Sequence, residues 1–198
     1  MNKRGMTLAE VMIAMVLLGL LTGALFYIFR LGSNVWAKGD TESELLGSIS
    51  VVEAKLSREA ERSVYESVSV EAAGQGVAFL SPMDANGVFR YDPITSMPRW
   101  QKYIVIYHDP AQKALLWREV PVVGSPTENT AGPIELFSGS TLASFFSGGK
   151  VLARELTGCR FWVGPDRQLL VWLEAEKERY GSSTPEHVEW RTAVSFRN

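Results

Sequence analysis

An uncharged apolar run near the amino end constrains this chain more than any other feature. The run extends from Val11 to Phe29, which is 19 residues, and about 20 apolar residues in a helix are needed to cross the hydrocarbon core of a bilayer. Two cations, Lys3 and Arg4, precede the run, and cations tend to stay on the cytoplasmic side of a membrane. The sequence therefore predicts a single membrane-spanning helix with the rest of the chain on the far side.

One acidic residue separates these cations from the apolar run. An ordinary secretory signal has a shorter apolar core that follows its cations directly, whereas Glu10 lies between the two here. A carboxylate costs about 2.5 to 3.5 kcal/mol at the centre of a bilayer and less near its edge. Glu10 therefore needs a cationic partner, which the apolar run does not supply.

The residues around Glu10 carry a resemblance to a known family. The segment from Lys3 to Glu10 is similar to the prepilin signal of type IV pilins and pseudopilins, in which a basic leader ends in glycine and a glutamate follows five residues later. The positions that match the family signal are Gly5, Thr7, Leu8 and Glu10. Met6 stands where the family usually has phenylalanine.

This resemblance implies processing and assembly roles for individual residues. A prepilin peptidase would cleave between Gly5 and Met6 and N-methylate Met6, and the loss of the two leader cations (leader 1–5) would take the formal net charge from −2 to −4. Glu10 would pair with the amino terminus of a neighbouring subunit and set the axial register of a filament. The implied partners are that peptidase, other pilins or pseudopilins and a bacterial inner membrane, with the carboxyl-terminal domain in the periplasm.

Two glycines in the apolar run have a spacing that favours helix packing. Gly19 and Gly23 lie four residues apart, so they share one helix face and would let a second helix approach closely. Glycine is also frequent in membrane helices without any such role. Both interpretations stay open from the sequence.

Beyond Arg30 the sequence predicts an amphipathic helix, because apolar residues recur every three or four positions among charged ones. The recurring residues are Leu45, Ile49, Val52, Leu56, Ala60 and Val64. We expect one continuous helix with a transmembrane half at 6–30 and an amphipathic half at 31–66. At 1.5 Å per residue it would be about 90 Å long, and its outer half needs a sheet to cover it.

Residues 67–198 carry strand signals and predict a β-rich globular domain. Alternating apolar residues and turn signals predict two hairpins and a further strand. The predicted strands are 103–107, 114–117, 160–163, 168–173 and 188–196. The fold class that the family resemblance implies is α+β and pilin-like, a long amino-terminal helix packed on a mainly antiparallel sheet.

Two polar segments of this domain are predicted to be loops. Residues 121–133 form a loop by composition. Residues 138–150 mix Gly and Ser with Leu142, Phe145 and Phe146, which predicts either a patch for a partner or a segment tucked onto the core.

The domain also resembles one branch of the family more than others. Its size and its last residues, 190–198, are loosely similar to the J-type pseudopilin of type II secretion and to W-type minor pilins. Many major pilins carry a carboxyl-terminal disulfide loop, which the single Cys159 cannot form. We interpret Cys159 as a small buried apolar residue. The resemblance thus implies a minor subunit that initiates or caps a pseudopilus or pilus.

Signals for catalysis or ligand binding are weak along the chain. The two histidines, His108 and His187, lie outside any catalytic motif, and we expect each at a turn or on the surface. The segment 84–87 has some calcium-loop character, but it lacks further acidic ligands and reads better as a tight hairpin turn. We therefore expect no catalytic residues, no metal, no cofactor and no small-molecule substrate.

Nucleic acid is also an unexpected partner. Arginine and aromatic residues are adjacent at 90–91 and 99–100, a pairing that some single-strand binding proteins use. The net charge of −2 and the absence of a basic run argue against it. The main alternative for the whole chain is a periplasmic binding or enzymatic domain tethered by an uncleaved anchor, for which Gly5 and Glu10 would be accidental.

Overall fold

The computed structural model describes residues 7–122, 130–179 and 184–196. Its first element is helix α1, Leu8–Ala60, which has 53 residues and is therefore about 80 Å long. The predicted continuity of the membrane and amphipathic halves is confirmed. The helix ends six residues before the predicted position 66 and is followed by a 3₁₀ turn at Tyr65–Ser67.

A buried serine fixes the 3₁₀ turn that follows α1. Val64 has an extended backbone, with φ −118° and ψ 147°. The Ser67 hydroxyl donates to the Val64 carbonyl at 2.7 Å and accepts from the Leu80 backbone N–H at 3.1 Å. Because Ser67 is fully buried, these bonds satisfy its polar group and tie the 3₁₀ turn to β2.

The described residues form eight strands in two antiparallel sheets. The first sheet has the order β1 (Ser69–Val70), β2 (Gly76–Ser81), β3 (Lys102–Asp109), β4 (Ala114–Pro121) and β5 (Lys150–Arg154). The second has the order β6 (Leu156–Val163), β7 (Gln168–Glu178) and β8 (Pro185–Ser195). A short helix, α2 (Ile134–Ser138), and a 3₁₀ turn (Leu142–Phe145) precede β5. The predicted α+β, pilin-like fold and both predicted hairpins are confirmed.

The main core lies between the outer part of α1 and both sheets. The helix contributes Leu45, Ile49, Val52, Leu56 and Ala60, each at most 1% exposed. Full burial of one such large side chain stabilises the fold by about 1.5 to 3 kcal/mol. The predicted apolar face of the helix is thus confirmed up to Ala60, whereas Val64 packs in a second core.

The second core covers the opposite face of the first sheet. Tyr103, Val105 and Tyr107 of β3 point into it. The Phe146 ring stacks on the Tyr107 ring, with centroids 4.9 Å apart and planes 5° apart. Leu142 is 2% exposed in the same core. Of the two interpretations of residues 138–150, the segment tucked onto the core is therefore the one that the structure shows.

Candidate assembly site at the amino end of the long helix

The residues of the expected cleavage site precede the described part of the chain. Gly5 and Met6 both lie outside the described residues, so cleavage and methylation stay predictions from the sequence. The first described residue, Thr7, is the N-cap of α1, with an extended backbone at φ −72° and ψ 154°. Thr7 therefore marks where the chain enters the long helix.

Glu10 and Thr7 cap each other at this helix start. The Thr7 backbone N–H donates to Glu10 Oε2 at 2.8 Å, and the Thr7 hydroxyl donates to the same oxygen at 3.1 Å. In return, the Glu10 backbone N–H donates to the Thr7 hydroxyl at 3.4 Å. This capping box satisfies N–H groups that a helix start leaves without partners. Its Thr-x-x-Glu spacing is readable in the sequence, yet our reading of Glu10 as an assembly residue missed it.

The same geometry leaves half of the Glu10 carboxylate available. Both bonds from Thr7 end on Oε2, and Oε1 accepts no hydrogen bond from any residue that the structure describes. The side chain is exposed and held by the cap near the position where a processed chain would begin. Pairing with the amine of another subunit stays a prediction.

The first half of α1 is exposed along its whole length. None of its apolar window is buried, and it is long and apolar enough to cross a membrane. A Cβ placed on Gly19 or Gly23 would meet nothing within 4 Å. Both glycines therefore face open space, as a helix-packing role requires, and that role stays a prediction.

The two histidines have separate, structural environments. His108 lies in β3, is 6% exposed, and its Nε2 is 2.9 Å from the Leu156 carbonyl oxygen. Our expectation of a turn or surface position was wrong for His108, because β3 continues one residue into the predicted turn. His187 is on the surface as expected, with Nδ1 3.6 Å from Glu174 Oε1.

The segment 84–87 forms the predicted hairpin turn. Asp84 Oδ1 accepts the backbone N–H groups of Asn86 and Val88, both at 2.9 Å. Its other oxygen contacts the Arg90 guanidinium at 2.7 Å. The Val88 N–H bond and the Arg90 guanidinium hold the pKa of Asp84 below its usual value. Both oxygens of this carboxylate therefore have partners, in the turn and in the Arg90 side chain.

The arginine and aromatic pairs are also used within the fold. Arg99 contacts Asp92 at 3.1 Å, as Arg90 contacts Asp84. Trp100 is 3% exposed, whereas Tyr91 is 60% exposed. These residues do not form a row of free cations and stacking rings.

Within the described part of the chain, no three His, Cys, Asp or Glu side chains are arranged to hold a metal. Cys159 is buried in the main core, as predicted, and burial raises the pKa of its thiol far above the usual value. It therefore packs as a small apolar side chain.

Comparison with known proteins gives one match. The family described as the prokaryotic N-terminal methylation motif matches residues 1–26. No curated protein and no solved structure matches the chain. The matched segment contains the expected cleavage site, Glu10 and most of the apolar run, and it supports a type IV prepilin-like protein that is processed by prepilin peptidase and assembles with other pilins.

Proposed function

We propose that this chain is a minor pseudopilin or minor pilin, a non-enzymatic subunit that initiates or caps a type II secretion pseudopilus or a type IV pilus. One observation carries the proposal. The methylation motif, residues 1–26, includes the start of a single 53-residue helix whose first half is exposed and whose second half is covered by sheets on one face. Such a chain has an anchor that is free to pack against other anchors.

Processing would create the charge partner that Glu10 needs. Cleavage after Gly5 leaves an amine on Met6, and N-methylation keeps that amine cationic. Within the apolar surroundings of a membrane or a helix bundle, a carboxylate and an amine from two subunits attract each other more strongly than in water. The capping box restrains the Glu10 side chain, and a restrained side chain loses less conformational entropy on forming such a contact.

The minor-subunit assignment has separate support. Cys159 is buried and without a disulfide, so the carboxyl-terminal loop of many major pilins is lacking in this chain. The end of the chain, 190–198, is loosely similar to the J-type pseudopilin of type II secretion and to W-type minor pilins. We place the processed chain in the inner membrane, with its sheet domain in the periplasm.

The test replaces Glu10 in two ways that separate charge from capping. Glu10→Gln keeps an oxygen that can accept the Thr7 N–H, since Gln also completes a capping box, but it removes the charge. Loss of one partner of a buried ion pair costs about 3 to 5 kcal/mol. We expect both Glu10→Gln and Glu10→Ala to reduce co-purification with partner pilins at least tenfold, whereas Glu44→Ala, on the outer part of α1, should not.

Normal assembly of Glu10→Gln together with failure of Glu10→Ala would show that Glu10 only caps the helix. Gly5→Leu tests the tethered-domain alternative in the same strain. A prepilin should accumulate unprocessed, with a higher mass, whereas a tethered domain should be indifferent to this change.

A further inference from the structure

A short stretch of α1 lies between the apolar run and the part that the sheets cover. The run ends at Phe29, and the first buried residue of the helix is Thr41. Residues 31–37, which we call the collar, contain no charged residue. The exposed fractions of its large apolar side chains are 56% for Leu31, 67% for Val35 and 80% for Trp36.

The collar's tryptophan points away from the sheet domain. At 100° per residue, the helix residues that the sheets bury are roughly 160° to 220° around the axis from Trp36. These residues are Leu45, Ile49, Val52 and Leu56. The sheets therefore lie on the opposite side of the helix, and no described residue covers the indole ring.

The height of Trp36 above the apolar run matches a membrane interface. Trp36 follows Phe29 by seven residues, which is about 10 Å along the helix. A bilayer has a hydrocarbon core of about 30 Å and a total thickness of about 40 to 45 Å, so each headgroup layer is roughly 5 to 7 Å deep. Helical side chains tilt toward the amino end, which brings the indole back into that layer.

The charges that flank the collar fit the same depth. Arg30 directly follows Phe29 and would lie at the edge of the hydrocarbon, where a long side chain can extend its charge to the headgroups. The next charged residue along the helix is Lys38, and Asp40 follows. Charged residues thus resume where the helix would leave the headgroup layer.

We propose that the collar is a lipid-contact surface, with Trp36 seated in the phospholipid headgroup layer on the side of the sheet domain. The occupant follows from continuity with the apolar run, because any membrane that holds 11–29 also meets 31–37. The indole suits this position, since its ring is apolar and its N–H donates to polar headgroups. The collar would fix the depth of α1 and hold the sheet domain, which covers the helix from Thr41 onward, at the membrane surface.

This proposal needs only a membrane-spanning α1, so it is independent of processing and of the filament. An unprocessed chain that fails to assemble would leave the collar in the same place. A subunit that enters a filament would have to withdraw the collar from the lipid.

Tryptophan fluorescence in vesicles tests the proposal with the full chain. The vesicles contain phosphatidylethanolamine and phosphatidylglycerol, with bromine near the headgroup end of some acyl chains to quench nearby indoles. The test variant is Trp36→Phe, and the control is Trp162→Phe. Trp162 is also exposed, at 38%, but the turn after its strand contacts the 3₁₀ turn beyond the carboxyl end of α1 through Arg167 and Glu66, 3.4 Å apart.

We expect the bromolipid quenching of the wild-type chain to fall by more than half in Trp36→Phe and to be unchanged in Trp162→Phe. Bromine near the tail end of the acyl chains should quench Trp36 less than bromine near the headgroup. Equal quenching of Trp36→Phe and the wild type would overturn the proposal. The proposal would also be overturned if bromolipids did not quench Trp36 and its emission shifted to the blue as the protein-to-lipid ratio rose. A second copy of the chain would then cover the indole.

Discussion

The two halves of α1 share one continuous backbone but are stabilised in different ways. From Leu8 to Trp36 the helix has no packing partner within the described residues, and its large apolar side chains are exposed. From Thr41 to Ala60 one face is buried under both sheets, with Val52 and Leu56 fully inaccessible. The inner half therefore exposes apolar surface that lipid or other helices can cover, whereas the apolar face of the outer half is already buried by the sheets.

This difference indicates that the inner half contacts partners outside the chain and that the outer half holds the sheet domain. Partners outside the chain must supply the packing of the inner half, because an exposed apolar helix of this length is not stable in water by propensity alone. The outer half has its packing within the chain and fixes the sheet domain to the rod. The same substitution should thus lower the stability of the sheet domain when it is made in the outer half and leave that stability unchanged when it is made in the inner half.

The largest expected effect is a loss of stability when a leucine of the outer half, but not one of the inner half, is replaced by alanine. Leu56→Ala leaves a cavity in the main core, where Leu56 is fully buried, and should lower the free energy of unfolding of the sheet domain by about 2 to 5 kcal/mol. Leu21→Ala, at a position 60% exposed, should leave it unchanged. Denaturant unfolding of the full chain in detergent, followed by near-ultraviolet circular dichroism, measures both. Equal losses in the two variants would contradict the division of the helix.

A smaller effect is expected from glycines in the two environments. A Cβ on Gly76 of β2 would overlap the Phe146 ring, which stacks on Tyr107, so Gly76→Ala should destabilise the domain by about 1 to 3 kcal/mol. Gly47→Ala, at an open position of α1 with nothing within 4 Å, should stabilise it by up to about 1 kcal/mol. The same unfolding assay compares the two, and a neutral Gly76→Ala would show that residues 138–150 are loosely packed.

The smallest effect concerns a region held by charge rather than by burial. The backbone N–H groups of Thr95 and Ile94, with Arg99, lower the pKa of Asp92 to about 2. Because the folded pKa is below the unfolded value of 3.8, this carboxylate stabilises its loop above about pH 4. The stabilisation is lost as the pH falls through about 2.

Nuclear magnetic resonance of the Thr95 amide against pH measures this transition. We expect a midpoint near 2, which Asp92→Asn should abolish, and no matching change at the amide of Val52 in the outer half of α1. A midpoint near the ordinary aspartate value would mean that the Asp92 contacts do not persist in solution.

The sequence predicts the helix because its apolar residues recur with a regular period, and the two hairpins because strand-forming runs flank turn signals. Strand β2 was not predicted, because its six residues are all buried but few of them are β-branched or aromatic. The end of α1 was also misplaced, because the apolar period continues to Val64, whereas Val64 has an extended backbone and packs in the second core. His108 was misplaced because only its strand partners show that β3 continues to Asp109.

The assembly site was predictable to a different extent. Glu10 is conspicuous in the sequence because a carboxylate beside an apolar run is costly, and its neighbours resemble a processing signal. The bond that orients it is local, Thr7 to Glu10, and was readable from spacing. The collar required the structure, because only the burial of 41–60 shows which side of α1 Trp36 leaves exposed.

The most direct test of the central claim is the accurate mass of the amino-terminal peptide, taken from membranes of a host that contains a prepilin peptidase. We expect a peptide that begins at Met6 and carries one methyl group on its amine. A peptide that still begins with the leader, residues 1–5, would contradict the account of α1 as a processed filament anchor.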